Sequence, residues 1–123
     1  MTNEVKTVLL VEDQPLLAMM TKLWLKDMGL SVVVSENGLM AKKLLESQTF
    51  AYMVTDLVMP KLDGSELLGW MQSENIDTPT IVVTGINDAQ EIAKIKEIPF
   101  VLTVLEKPLT PEQLIEAQAL IDA

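Results

Sequence analysis

Five side chains in this sequence have the types and positions to handle phosphoryl groups or a metal ion: Glu12, Asp13, Asp56, Thr84 and Lys107. Carboxylates are hard oxygen ligands, and beside a divalent ion a carboxylate can attack phosphorus. A lysine ammonium grips a phosphoryl oxygen as a point charge, and a threonine hydroxyl donates a hydrogen bond to another. Phosphoryl transfer demands mainly positioning and charge stabilisation, so such a set is chemically sufficient. What the sequence lacks narrows the choice further, because it has neither cysteine nor histidine. Disulfides, thiolate sites and a cysteine nucleophile are excluded, as are the usual general base, the commonest nitrogen ligand of metals and a phosphohistidine carrier.

The charge balance excludes a second group of functions. Nine Lys+Arg face 18 Asp+Glu, a formal charge of −9, which repels phosphate backbones and anionic lipid headgroups. Direct nucleic-acid binding is not expected. Residues 1–6 are polar and acidic, without the basic region and apolar stretch of a secretory signal, and no apolar run approaches the roughly 20 residues needed to span a bilayer. The expectation is a cytoplasmic protein with no membrane insertion.

The elements that must position the five side chains follow from periodicity. Apolar runs rich in β-branched residues at 7–11, 31–35, 52–55, 80–84 and 101–105 read as buried strands. Between them lie helical patterns. The first covers 15–28, with Leu17, Met20, Trp24 and Met28 on its inward face and Gly29 as its stop. The second starts near Asn37 and turns Ala41, Leu44 and Leu45 inward; the third follows Gly64 with Leu67, Leu68 and Met71 inward. Asp88 and Glu91 have the spacing of a capping box for a fourth helix that stops before Pro99. Thr110, Pro111 and Gln113 open the fifth. Most of the methionines at 19, 20, 28, 40, 53 and 71 are expected to fill the core; Trp24 should pack inward and Trp70 sit partly exposed.

Five strand–helix alternations predict an α/β fold: one domain over 1–123, with a parallel five-stranded sheet, helices on both faces and right-handed crossovers. No repeat, linker or low-complexity tail interrupts the pattern, although a longer natural chain could continue past Ala123. In open sheets of this kind ligands bind beyond the carboxyl ends of the strands, where strand order reverses. Glu12 and Asp13 follow the first strand, Asp56 the third, Thr84 closes the fourth and Lys107 follows the fifth, so all five map to that edge. With a flavodoxin-like (βα)5 order of 2-1-3-4-5, Asp13 and Asp56 face each other across the switch point. Three carboxylates there repel by about 4 kcal/mol per close pair at an effective dielectric near 20. Lys107 offsets part of this, and a hard divalent ion such as Mg2+, which prefers oxygen ligands and retains waters, would offset more.

Taken singly, each feature has an ordinary explanation. Glu12-Asp13 suits a solvated turn that caps the first helix, Lys107-Pro108 a loop turn, and Thr84 a strand end. Only their joint placement on one edge points to a site.

Together the residues resemble the receiver domain family of bacterial two-component response regulators. Four motifs carry the likeness: Val11-Glu12-Asp13; the run Asp56-Leu57-Val58-Met59-Pro60-Lys61-Leu62-Asp63-Gly64; Val83-Thr84-Gly85; and Lys107-Pro108. The resemblance implies that Asp56 accepts a phosphoryl group from a sensor histidine kinase or phosphotransfer protein. It implies a magnesium ion held by Glu12, Asp13, Asp56 and the backbone carbonyl of Val58. It also implies that Thr84 and Lys107 contact the phosphoryl group and couple its arrival to a shift of the fourth helix and fifth strand. Two departures bear on output. Val104 stands where an aromatic switch residue is usual, and the bulky Ile98-Pro99-Phe100-Val101 replaces the small residues that often precede the fifth strand. Aliphatic Val58 and Ile86, where fast-cycling relatives carry polar groups, imply slow autodephosphorylation.

Three other functions compete with this reading. An aspartate-nucleophile phosphohydrolase usually has a second acid two positions after the nucleophile, where this chain has Val58. A flavin-binding protein of this topology needs a glycine- and hydroxyl-rich phosphate loop, where this chain has Glu12-Asp13-Gln14-Pro15. The third is a degenerate receiver that serves as a protein-docking module without an aromatic switch.

Overall fold

A computed structural model describes residues 5–59, 61–85 and 87–122. Strands and helices alternate: β1 (Thr7–Val11), α1 (Pro15–Asp27), β2 (Ser31–Ser35), α2 (Gly38–Ser47), β3 (Tyr52–Asp56), α3 (Gly64–Ser73), β4 (Thr80–Thr84), α4 (Ala89–Lys96), β5 (Val101–Glu106) and α5 (Pro111–Asp122). All strand pairs are parallel and the order is β2-β1-β3-β4-β5. The 2-1-3-4-5 expectation is therefore met.

Strand side chains alternate between two apolar layers, as a pleated strand requires. Leu9, Val11, Met53 and Val82 meet Ala41 and Leu45 of α2, Leu67, Leu68 and Met71 of α3, and Ile95 of α4. On the opposite face Val8, Leu10, Tyr52, Val54, Ile81 and Val83 meet Leu25 of α1 and Leu114 and Ala117 of α5. Every residue of β3 and β4 is buried, the usual state of inner strands of a parallel sheet covered on both faces. Asp56 is the last residue of such a strand, so the core itself fixes where its carboxylate emerges.

The helix ends follow local chemistry. Gly29 takes φ +86°, and its N–H and that of Leu30 bond the carbonyls of Lys26 and Leu25, closing α1 in a Schellman turn. Asn37 caps α2 through the Met40 N–H at 2.8 Å. Thr110 and Gln113 bond reciprocally at the start of α5, as expected.

Three expectations are corrected. The inward face of α1 is Ala18, Thr21 and Leu25. Trp24 and Met28, partly buried, pack against the same core layer as expected, whereas Leu17 is only partly buried and Met20 is 38 % exposed. The first helix is apolar nearly all round, so period alone could not choose the face. Second, Met53 and Met71 are core, but Met19, Met20 and Met40 lie on the surface. Third, only half of the Asp88 capping box exists: Asp88 accepts from the Gln90 and Glu91 N–H groups, while the Glu91 carboxylate accepts from Ser65 Oγ of α3 at 2.8 Å. A full capping box occurs instead at Asp63 and Glu66 of α3.

Candidate functional site

β1 and β3 are neighbours, with Val11 level with Thr55, so the residues that follow them emerge side by side. Glu12 continues the line of β1, its N–H bonding the Ser35 carbonyl at 3.0 Å. One carboxylate oxygen from each of Glu12, Asp13 and Asp56 lies within 4.8 Å of the others. Asp56 pairs in register with Val83, which puts Thr84 one residue farther along the adjacent strand. Lys107 is tied to that strand by its backbone N–H, which donates to the Thr84 carbonyl at 3.0 Å. From there its ammonium reaches Asp56 Oδ2 at 2.6 Å and Glu12 Oε1 at 3.4 Å.

The structure thus gathers the four charged side chains and seats Thr84, fully buried, on the strand beside them. Val58 lies at the rim: the residue is 62 % exposed and its N–H approaches Asp56 Oδ1 at 3.4 Å. Pro60 and Ile86, the latter part of the expectation of slow autodephosphorylation, lie outside the described residues.

The sequence reading missed two backbone features that orient Asp56. The Leu57 N–H donates to Oδ1 at 2.7 Å, leaving Oδ2 to Lys107. Gly64 donates its own N–H to the Leu57 carbonyl at 2.7 Å and packs beneath the strand end. A Cβ there would overlap the Asp56 carbonyl oxygen and the Leu57 Cα, so the chain needs glycine for closeness. The glycine ending the motif was the available signal. At the other side of the same loop, Leu62 O accepts from the Gly38 N–H at 3.0 Å.

The electrostatics match this crowding. Burial raises the Glu12 carboxyl above its ordinary value, and the negative Asp56 and a hydrogen bond with Asp13 add to the rise; the Gln14 N–H and Lys107 oppose it. Burial alone would lower Lys107, but the hydrogen bond and charge of Asp56, joined by Glu12, overcome this and hold its ammonium above the ordinary lysine value. The three acids outnumber the one ammonium, leaving a local excess of two negative charges when all are ionised. The donor set is all oxygen and closely spaced, which fits a hard divalent cation with retained waters better than a soft one. Beside the site, a cavity of about 370 Å³ runs beneath α1, walled by Leu17, Met20, Trp24 and Leu109.

Comparisons with known proteins bear on the family and the fold. A family model described as the response regulator receiver domain matches residues 8–119. Among curated proteins, the Regulator of RpoS from Escherichia coli is 30 % identical over 104 residues, which cover 85 % of this chain and 31 % of that protein. Transcription factor SKN7 from Candida albicans is 32 % identical over 108 residues, 87 % of this chain and 19 % of that protein. The chain therefore spans less than a third of these relatives. Among solved structures, a signal receiver domain of a putative Luxo repressor protein from Vibrio parahaemolyticus superposes with a TM-score of 0.88 at 27 % identity, covering 96 % of this chain and 90 % of that one. No helix among the described residues is long and apolar enough to cross a membrane.

Proposed function

The chain belongs to the response regulator receiver domain family, and we propose that it is a phosphorylation switch whose acceptor is Asp56. Receiver domains are signalling domains rather than conventional enzymes. The donor is a sensor histidine kinase or a phosphotransfer protein, and the setting is cytoplasmic. The observation that carries the reading is the Lys107–Asp56 contact of 2.6 Å, formed within the cluster of three acids.

In transfer from phosphohistidine, an oxygen–phosphorus bond forms on the Asp56 carboxylate as the nitrogen–phosphorus bond breaks, and the donor imidazole keeps the electron pair. Leu57 N–H holds Oδ1 and so fixes the plane of the attacking carboxylate. Lys107 leaves Oδ2 for a phosphoryl oxygen, keeping its charge paired throughout, and the Thr84 hydroxyl donates to another. Glu12, Asp13, Asp56 and the Val58 carbonyl are the residues that would hold Mg2+. Bound there, the ion supplies charge neutralisation that lets an anionic phosphoryl group approach three carboxylates.

The switch reading is preferred to a pure docking module because a module has no need of a lysine directed at the buried Asp56 carboxylate. Incubation with Mg2+ and acetyl phosphate, followed by intact mass measurement, tests it. Wild type should gain one phosphoryl mass and Asp56→Asn none; a wild type that gains nothing refutes the switch and leaves docking.

A further inference from the structure

Two loops leave the candidate site toward the same face of the sheet. One runs from Asp56 to α3, with Ser65 directly after the Gly64 that packs beneath Asp56. The other runs from Thr84 to α4, which begins at its cap, Asp88. The Ser65–Glu91 hydrogen bond of 2.8 Å joins the first turns of the two helices. Beyond that bond, α4 rests on its packing against β5, with Ile95 as its buried residue. A groove runs between α3 and α4 from Ser65 and Glu91 to Gln72 and Ile98, and Gly69 in its wall meets no neighbour that a Cβ would touch.

The Glu91 carboxylate also has a second place to go. It stands three residues after Asp88, the spacing at which a carboxylate reaches back to the backbone N–H of its own helix cap. The same arrangement is complete in α3, where Glu66 Oε1 accepts from the Asp63 N–H. In α4 the Asp88 half is made and the Glu91 half is diverted to Ser65.

We propose that Ser65 and Glu91 are a positioning pair. Their bond ties the first turn of α3, which follows Asp56 in the chain, to that of α4, which follows Thr84, and its release lets Glu91 complete the α4 cap. The carboxylate therefore has two discrete partners, one across the helix pair and one within its own helix, which is the local form of a two-state element. Because the Thr84 hydroxyl would donate to the phosphoryl group on Asp56, phosphorylation bears on the end of β4 from which the chain runs to α4, and so on the spacing that the bond requires. This regulatory half rests on the phosphorylation reading; the resting half does not.

The two halves are tested separately on the full chain. In unphosphorylated protein, hydrogen exchange of the α4 amides and the Asp88 amide is compared among wild type, Ser65→Ala, Glu91→Ala, Ser65→Thr and the double variant Ser65→Ala with Glu91→Ala. Ser65→Ala should speed exchange across the later turns of α4 severalfold while protecting the Asp88 amide, as Glu91 moves to the cap. Ser65→Thr should restore the wild-type pattern, and the double variant should lose the Asp88 protection. An Asp88 amide unchanged by Ser65→Ala, or effects of the two substitutions that simply add, overturns the proposal. In a second arm, Mg2+ and acetyl phosphate are added and the phosphoryl mass is followed alongside exchange. With the adduct present, wild-type α4 should approach the Ser65→Ala pattern; an adduct with α4 still at its resting protection overturns the regulatory half. Absence of any adduct counts against Asp56 as acceptor, and the first arm still decides the pair.

Discussion

Gly64 and Asp56 are packed so closely that the glycine's missing side chain is part of how the acid is held, for a Cβ at 64 would occupy the space of the Asp56 carbonyl oxygen. Gly64→Ala should therefore force the β3–α3 loop apart and cost about 2–3 kcal/mol, in the range of overpacked core sites. Gly69 provides the control. It sits within α3 with nothing inside 4 Å of a built Cβ, so Gly69→Ala should stabilise by roughly 0.5–1 kcal/mol through helix propensity. Urea unfolding of both variants checks the pair; equal shifts would mean that the close approach has no energetic role.

Glu12 gives a pH signature. Its folded-state value is raised above 4.5, so the folded protein binds this proton more tightly than the unfolded chain does. The stability this contributes is fully present below 4.5 and is lost as pH rises through the folded value. Metal-free Glu12→Gln should escape that loss, and its advantage in melting temperature over wild type should grow between pH 4.5 and 7. A constant difference over this window would contradict the crowding.

Divalent binding should reverse the order. Mg2+ at ten times its dissociation constant stabilises the folded state by about 1.4 kcal/mol, and the gain should shrink as pH falls because protons compete for Glu12. Asp13→Asn removes one of three neighbouring charges, so the metal-free protein should gain roughly 1 kcal/mol while most of the response to Mg2+ disappears. Thermal melts with and without MgCl2, with EDTA as the reference, measure both; an undiminished Mg2+ response in Asp13→Asn would place the ion elsewhere.

Lys107→Met leaves Asp56, which is 6 % exposed, without its cation. The cost should be about 2 kcal/mol in metal-free protein, below that of a fully buried pair because the lysine side chain retains 24 % exposure. The folded-state value of Lys107 is raised above 10.5, so its stabilisation is present below 10.5 and disappears as pH climbs through the folded value. Wild type should lose this increment in alkaline melts and Lys107→Met should not. Parallel alkaline curves would show that the contact contributes nothing.

Much of this is legible in the sequence alone. The strand starts were readable because β-branched runs and their punctuation are local features, and the site edge followed from the strand ends once the sheet order was assumed. The α1 face is only partly readable. Leu16, Leu17, Met19, Met20, Leu23 and Trp24 spread apolar character around the helix, and the structure centres the inward face on Ala18, Thr21 and Leu25, with Trp24 and Met28 at its edge. Nor could sequence find the partner of Glu91, because Ser65 lies 26 residues away and competes with a local bond of the same type. The role of Gly64 is likewise hidden from the sequence, since close approach is a property of two segments and not of one.

The most direct measurement is borohydride trapping after incubation with Mg2+ and acetyl phosphate, which reduces an acyl phosphate on aspartate to homoserine and marks the acceptor in the tandem mass spectrum. The expected result is homoserine at position 56 and nowhere else, abolished by EDTA and absent from Asp56→Asn. Homoserine at another acid, or none in wild type while acetyl phosphate persists, would contradict Asp56 as the phosphoryl acceptor.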